Sequence, residues 1–121
     1  MAYTNAAKDA AVNAIRALLT SNIGYISLHT ADPGTTGASE ATGTSYARGS
    51  STFPAASGGS GSTGGQATVT ARTGSTTAAT HVGIWTASSS GTFICGIALT
   101  TTENFSTAGG TLLYTPTLSA T

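Results

Sequence analysis

Between residues 5 and 20 the apolar positions Ala11, Val12, Ile15, Leu18 and Leu19 recur at spacings of three and four, which predicts a helix with one buried face. Thr4 or Asn5 can cap its start, because a short side-chain oxygen there accepts an otherwise unpaired N–H of the first turn. Asp9 falls toward the positive end of the helix dipole and Arg16 toward the negative end. The helix is expected to stop at 21–24, where Asn22 or Gly24 tolerates a left-handed backbone.

At Tyr25 the period changes to two. Ile26, Leu28 and Thr30 fall on one face and Tyr25, Ser27 and His29 on the other, the pattern of a half-buried strand. Asp32-Pro33-Gly34 closes it, since proline presets one turn angle and glycine supplies a positive φ. Residues 35–44 are a Gly/Thr/Ser-rich loop, and 46–53 return as a weak strand. Residues 58–65, Gly-Gly-Ser-Gly-Ser-Thr-Gly-Gly, have the composition of a linker or of a hairpin tip that orders only against a neighbour. Further on, 66–71 alternates weakly, while 80–86 and 92–99 alternate strongly across the five-residue connection 87–91. Residues 112–118 supply a last strand, with Pro116 favouring an edge or a bulge.

One helix and about five to seven short strands with polar turns give a mainly β domain spanning 1–121, with the helix at 5–20 and an antiparallel, jelly-roll-like β-sandwich over 25–118. Its expected core includes Ile26, Leu28, Ile84, Trp85, Phe93 and Ile97, with Val12, Ile15, Leu18, Leu19, Val69, Val82, Ile94, Leu99, Leu112 and Leu113. Hydrophobic residues make up 39% of the 121, many of them alanine, so this core is thin and extra stability is expected from docking or oligomerisation.

Charge sharpens that picture. The chain holds four Lys or Arg and four Asp or Glu, for a formal net charge of zero, whereas soluble domains usually carry about a quarter charged residues. A near-neutral surface gives little protection from self-association, which suits a subunit packed against neighbours better than a diffusing catalyst. Lys8, Arg16, Arg48 and Arg72 are scattered, so the basic stripe of a nucleic-acid binder is missing. The N-terminus has no basic segment followed by an apolar run, and no stretch approaches the roughly 18 apolar residues of a membrane span. The expectation is an unprocessed protein made in the cytoplasm, with no membrane partner.

Candidate chemistry is sparse. Cys95, His29, His81, Asp32 and the many serines can be arranged on paper as a nucleophile with its base, but no Gly-x-Ser-x-Gly elbow is present. Cys95 alternates with Phe93, Ile97 and Leu99, so a buried structural thiol is expected. His29 and His81 cannot alone close a zinc site, and a histidine bonded to a backbone carbonyl is the plainer reading. Asp32 and Glu40 are the only acids between Asp9 and Glu103, too little for paired-carboxylate chemistry. The glycine-rich stretch lacks the lysine of a phosphate-binding loop. Tyr25, Tyr46, Trp85 and Tyr114 are too dispersed for a stacking platform, and Trp85 reads as core. No metal, cofactor or catalytic residue is assigned.

The string Leu28-His29-Thr30-Ala31-Asp32-Pro33-Gly34, followed by Glu40, Gly43 and Tyr46-Ala47-Arg48, resembles a family of small virion proteins of tailed bacteriophages, variously tail-fibre-like, minor tail or head-decoration proteins. The later His81-Val82-Gly83-Ile84-Trp85 and Phe93, Gly96, Ala98-Leu99 are similar to that family's second block. The resemblance implies a structural subunit without catalytic residues. It gives Asp32, Pro33 and Gly34 the role of a tight strand exit and lets Gly83 permit close backbone approach beside Trp85. It also makes Arg48 a candidate partner of Asp32 or Glu40 that ties down the long loop.

The leading expectation is therefore a capsid decoration (cement) subunit of a phage virion, homo-oligomeric with a trimer favoured, whose partners are the major capsid protein or tail proteins. A minor tail or tail-fibre protein with a host-adhesion role is the alternative within that class, and a carbohydrate-binding sandwich module is the alternative outside it.

Overall fold

A computed structural model describes residues 1–120, which form one α-helix and eight strands. The helix α1, Asn5–Arg16, opens on Thr4, whose hydroxyl accepts the Ala7 N–H at 3.2 Å. It ends earlier than the periodicity predicts, because Leu19 must turn inward while Leu18 stays 63% exposed; a short 3-10 turn, Thr20–Asn22, makes the change of direction with Ser21 and Asn22 at φ 54° and 60°. Asp9 lies beyond the first helical turn and serves the loop instead, accepting the Gly59 N–H at 2.9 Å.

Strands β1 (Ile23–His29), β2 (Gly49–Thr52), β5 (Thr77–Trp85) and β6 (Phe93–Phe105) form one antiparallel sheet in the order β2-β1-β5-β6. Strands β4 (Ala67–Ala71) and β7 (Gly110–Tyr114) form a second, and the two-residue strands β3 (Ser62–Thr63) and β8 (Thr117–Leu118) a third. The count exceeds the sequence expectation because the predicted 112–118 strand breaks at the buried Pro116 into β7 and β8, and because the glycine-rich stretch contains β3. That stretch is tied to its own chain: the buried Ser62 pairs with Leu118, and Gly64 N–H reaches the Pro116 carbonyl at 2.9 Å.

The core lies between the two larger sheets. Ile26 pairs with Ile84 and Leu28 with Val82, so these four share one face of the first sheet, all fully buried. Ala67, Val69 and Ala71 are the buried face of β4, and they join the same cluster with Phe53, Val12 and Leu19. Phe53, absent from the expected core, is the largest fully buried side chain; its place after a polar run of Ser and Thr concealed it. Gly24 lets it in, because a Cβ there would stand 2.7 Å from its ring. Leu113, expected inside, is 56% exposed, since the register of β7 turns Leu112 and Tyr114 toward the core instead.

Two irregularities correct the reading of β5 and β6. Cys95 faces Ile84 but Phe93 faces Trp85, so Ile94 is an extra residue and a bulge moves Phe93 to the sheet's other face. Phe93 therefore does not alternate with Cys95 and Ile97; it meets the Trp85 ring edge-on at 5.1 Å between centroids. Further along, Thr80 alone stands opposite residues 99–102, which bends the long strand. Cys95, Ile97, Trp85 and Phe93 are half-buried, unlike the fully buried Ile26, Leu28 and Ile84. Phe53→Ala is expected to lower unfolding stability by about 3–5 kcal/mol in urea denaturation, the usual cost of emptying an aromatic core site.

Candidate functional site

The strand β1 is not half-buried: Ser27 and His29, on its polar face, are as inaccessible as Ile26 and Leu28. What covers this second face is the predicted loop after β1. Thr30 N–H bonds the Ser39 carbonyl at 3.0 Å and Ala41 N–H the Leu28 carbonyl at 2.8 Å, so the chain doubles back beside its own strand. The Asp32 carboxylate accepts the Gly34 N–H at 2.9 Å and Gly34 takes φ 59°, which makes the tight exit. Pro33 is then buried against Gly96, and Gly37 lies flat on Trp85, where a Cβ would stand 2.5 Å from the indole.

Beneath this loop runs a closed hydrogen-bond chain. The Ala38 carbonyl can only accept, so His29 donates from Nδ1 at 2.7 Å and its Nε2 is free to accept from the Ser27 hydroxyl at 2.7 Å. Trp85 Nε1–H in turn donates to Ser27 Oγ at 2.8 Å. Gly83 makes room for the pair, since a Cβ there would come within 2.7 Å of both His29 Nε2 and Ser27 Oγ. A serine hydroxyl held on a histidine has the outline of an activated nucleophile. Here both groups are sealed from solvent and the hydroxyl is already engaged twice, so the arrangement closes a polar interior.

The loop is locked from the other side by Arg48. Its Nε and Nη2 donate to the two oxygens of Glu40 at 2.7 and 2.8 Å, a forked ion pair with side chains only 6% and 18% exposed. Its remaining Nη1 donates to the Ala87 and Ser90 carbonyls at 2.8 and 2.9 Å, reaching the turn between β5 and β6. The guanidinium lies 4.0 Å from the centroid of the Trp85 ring. Of the two partners expected for Arg48, the structure places it on Glu40, while Asp32 caps its own turn. Tyr46 joins the network: its hydroxyl donates to Glu40 at 2.8 Å and accepts the Leu28 N–H at 3.1 Å. The sequence pointed to Glu40 through Arg48 but carried no signal that Tyr46 joins the pair or that Ser27 is buried with His29, because those contacts form only when the loop folds back on β1.

These contacts set the protonation states. Burial favours the neutral form of His29 and lowers its pKa below 6.5, the bond to Ala38 opposing it less strongly. Burial would raise Glu40, but the hydrogen bonds from Arg48 and Tyr46 outweigh it and hold the carboxyl below 4.5. Burial also raises the Tyr46 phenol and the Cys95 thiol, leaving both protonated at neutral pH. His81 takes no part in this network; its Nδ1 pairs with the adjacent Thr80 hydroxyl at 2.8 Å. No group of three or more His, Cys, Asp or Glu that could hold a metal ion occurs among the described residues.

Two clefts flank the locked loop. One, of about 330 Å³, is bordered by Glu40, Tyr46, Arg48 and residues 88–90. The other, also about 330 Å³, is bordered by Thr30, Thr42, Arg72, Thr76 and Thr77. Arg72 Nε and Thr77 Oγ1 are buried there without a hydrogen-bond partner among the described residues.

A family model described as Podophage GP4 fiber I protein gp80 matches residues 2–121. The chain belongs to this family. No curated protein matches it. Membership of a phage fibre family makes the chain a structural protein of the virion, and the fibre description fits the tail-fibre alternative better than capsid decoration. No helix among the described residues is long and apolar enough to cross a membrane.

Two outcomes follow from the locked loop. Arg48→Met leaves Glu40 charged and unpaired beneath the loop and is expected to cost about 3 kcal/mol of stability, with Arg48→Lys recovering less than half, because lysine supplies neither the fork nor the stacking. Both are read as shifts in urea midpoint.

Acid weakens the fold in two steps. Folded His29 binds its proton less readily than unfolded His29, so its contribution is complete above pH 6.5 and is lost as pH falls below that value. Folded Glu40 behaves in the same sense below 4.5. The urea midpoint is expected to fall between about pH 7 and 5 and again below 4.5; a flat profile over the first interval contradicts the His29 assignment.

Proposed function

We propose that this fiber I family member is a non-enzymatic building unit of the tail fibre, assembled as a homo-oligomer against other virion proteins. The family match over residues 2–121 carries the reading, and the molecule is consistent with it. Its buried Ser27–His29 pair offers no reachable nucleophile, and its polar groups are spent on fixing a loop. A rigid, nearly uncharged subunit with few long-range repulsions suits repeated side-by-side packing. Copy number separates this reading from capsid decoration, in which the protein covers the shell. Quantitative mass spectrometry of purified particles is expected to give a small copy number relative to the major capsid protein; copies comparable to the shell subunit would restore decoration, and absence from the particle would remove both.

The cleft beside Arg72 favours a host-adhesion role within the fibre. Arg72 Nε and Thr77 Oγ1 lie buried at this cleft without partners among the described residues, and the threonines that border it suit hydroxyl-bearing and anionic groups. Arg72→Gln is expected to slow adsorption of the phage to its host while the copy number per particle stays unchanged.

A further inference from the structure

Strand β6 is the edge of its sheet, paired only with β5 among the described residues, and β7 is likewise paired only with β4. An unpaired strand edge presents a row of N–H and C=O groups that another strand can complete, and natural proteins usually block such edges with charge or proline. Residues 93–102 and 110–114 contain no charged residue and no proline, the single charge on β6 being Glu103 near its far end. The bulge at Ile94 and the bend opposite Thr80 leave residues 95–98 as the regular part of the β6 edge, close in length to the five residues of β7.

The two edges differ in relief. Beside β6 opens an apolar groove of about 390 Å³ bordered by Ile15, Leu18, Cys95, Ile97 and Leu118, with Leu18 exposed on its rim. On β7 the register turns Leu113 outward, where it is a large exposed apolar side chain. One edge offers a hollow and the other a knob. A chain with zero net charge puts little electrostatic resistance in the way of meeting its own copy, and offers no charge complement to select a strongly charged partner.

We infer that β7 of one copy adds to the β6 edge of a second copy, with Leu113 seated in the groove beside Cys95. This deepens the homo-oligomer part of the fibre reading. The contact is head-to-tail, so each subunit gives one edge and receives another, and the assembly closes as a ring when the rotation between copies permits. Main-chain bonds along the edge supply much of the affinity and the groove sets the register.

The purified full-length chain tests this directly by size-exclusion chromatography with light scattering. A discrete small oligomer is expected for the native chain. Leu113→Glu and, separately, Leu18→Glu should each shift it to the monomer mass with circular dichroism and melting temperature of the subunit retained, since both side chains are exposed. The single native cysteine makes the register readable: in Leu113→Cys, oxidation with diamide should couple Cys95 of one copy to the thiol introduced at 113 in the next, giving cross-linked species that Cys95→Ser abolishes. A native monomer at high concentration overturns the inference, as does an oligomer that survives both charge substitutions or a native Cys95-to-Cys95 link. These outcomes are independent of copy number in the particle, so the interface and the fibre assignment fail separately.

Discussion

The Arg48 guanidinium is the point on which the second face of the main sheet depends. Its three nitrogens bond two oxygens of Glu40 and two carbonyls of the β5–β6 turn, and its plane lies on Trp85. Each contact belongs to a different part of the chain: the doubled-back loop, the hairpin turn and the strand between them. Without the guanidinium the loop would keep only its backbone bonds to β1, the His29–Ala38 and Tyr46–Glu40 bonds and the packing of Pro33. The arrangement explains how a chain with few large hydrophobic residues covers both faces of a four-stranded sheet. One face is closed by aliphatic packing, the other by a polar network in which the donors and acceptors just traced find partners.

That division also accounts for what could be read from residue order and what could not. The amphipathic start, the strand at 25, the Asp32-Pro33-Gly34 exit and the strong pair of strands in the second half are local patterns, and local patterns survive in a sequence. The two-sided burial of β1 is not local. Ser27 and His29 read as solvent-facing because they are polar and alternate with Ile26 and Leu28, yet a loop some ten residues downstream covers them. Phe93 departs from its pattern for a similar reason: strict alternation from Cys95 puts it on the core face, and only the extra residue Ile94 sends it to Trp85. Phe53 has serine, threonine and proline as neighbours, so no periodic pattern marks it as core.

The pairing of Arg48 with Glu40 shows where motif reasoning reaches its limit. The family-like segment placed Asp32, Glu40, Tyr46 and Arg48 within a short stretch, which made an ion pair to one of two acids reasonable. Which acid is decided by turn chemistry. Asp32 precedes Pro33 and its carboxylate is consumed by the Gly34 N–H of its own turn, leaving Glu40 as the free carboxylate brought beside His29 and Leu28 when the loop doubles back. Tyr46 then completes the acid's shell while satisfying a strand N–H, so one phenol serves two segments.

The same economy bears on the role of the molecule in a particle. Polar networks in an interior contribute less to net stability than aliphatic packing of equal volume, but they favour one arrangement over its competitors, because any slip leaves a buried donor or acceptor unpaired. A structural protein of a virion benefits from that selectivity. The locked loop and its flanking clefts are held by the bonds traced above among His29, Ala38, Glu40, Tyr46 and Arg48. The aliphatic side of the sandwich is left thinner, with half-buried residues along β6 and β7 where both strand edges are open. Shape is specified within the chain, and under the proposed edge-to-edge contact the apolar burial that it lacks would come from a neighbour.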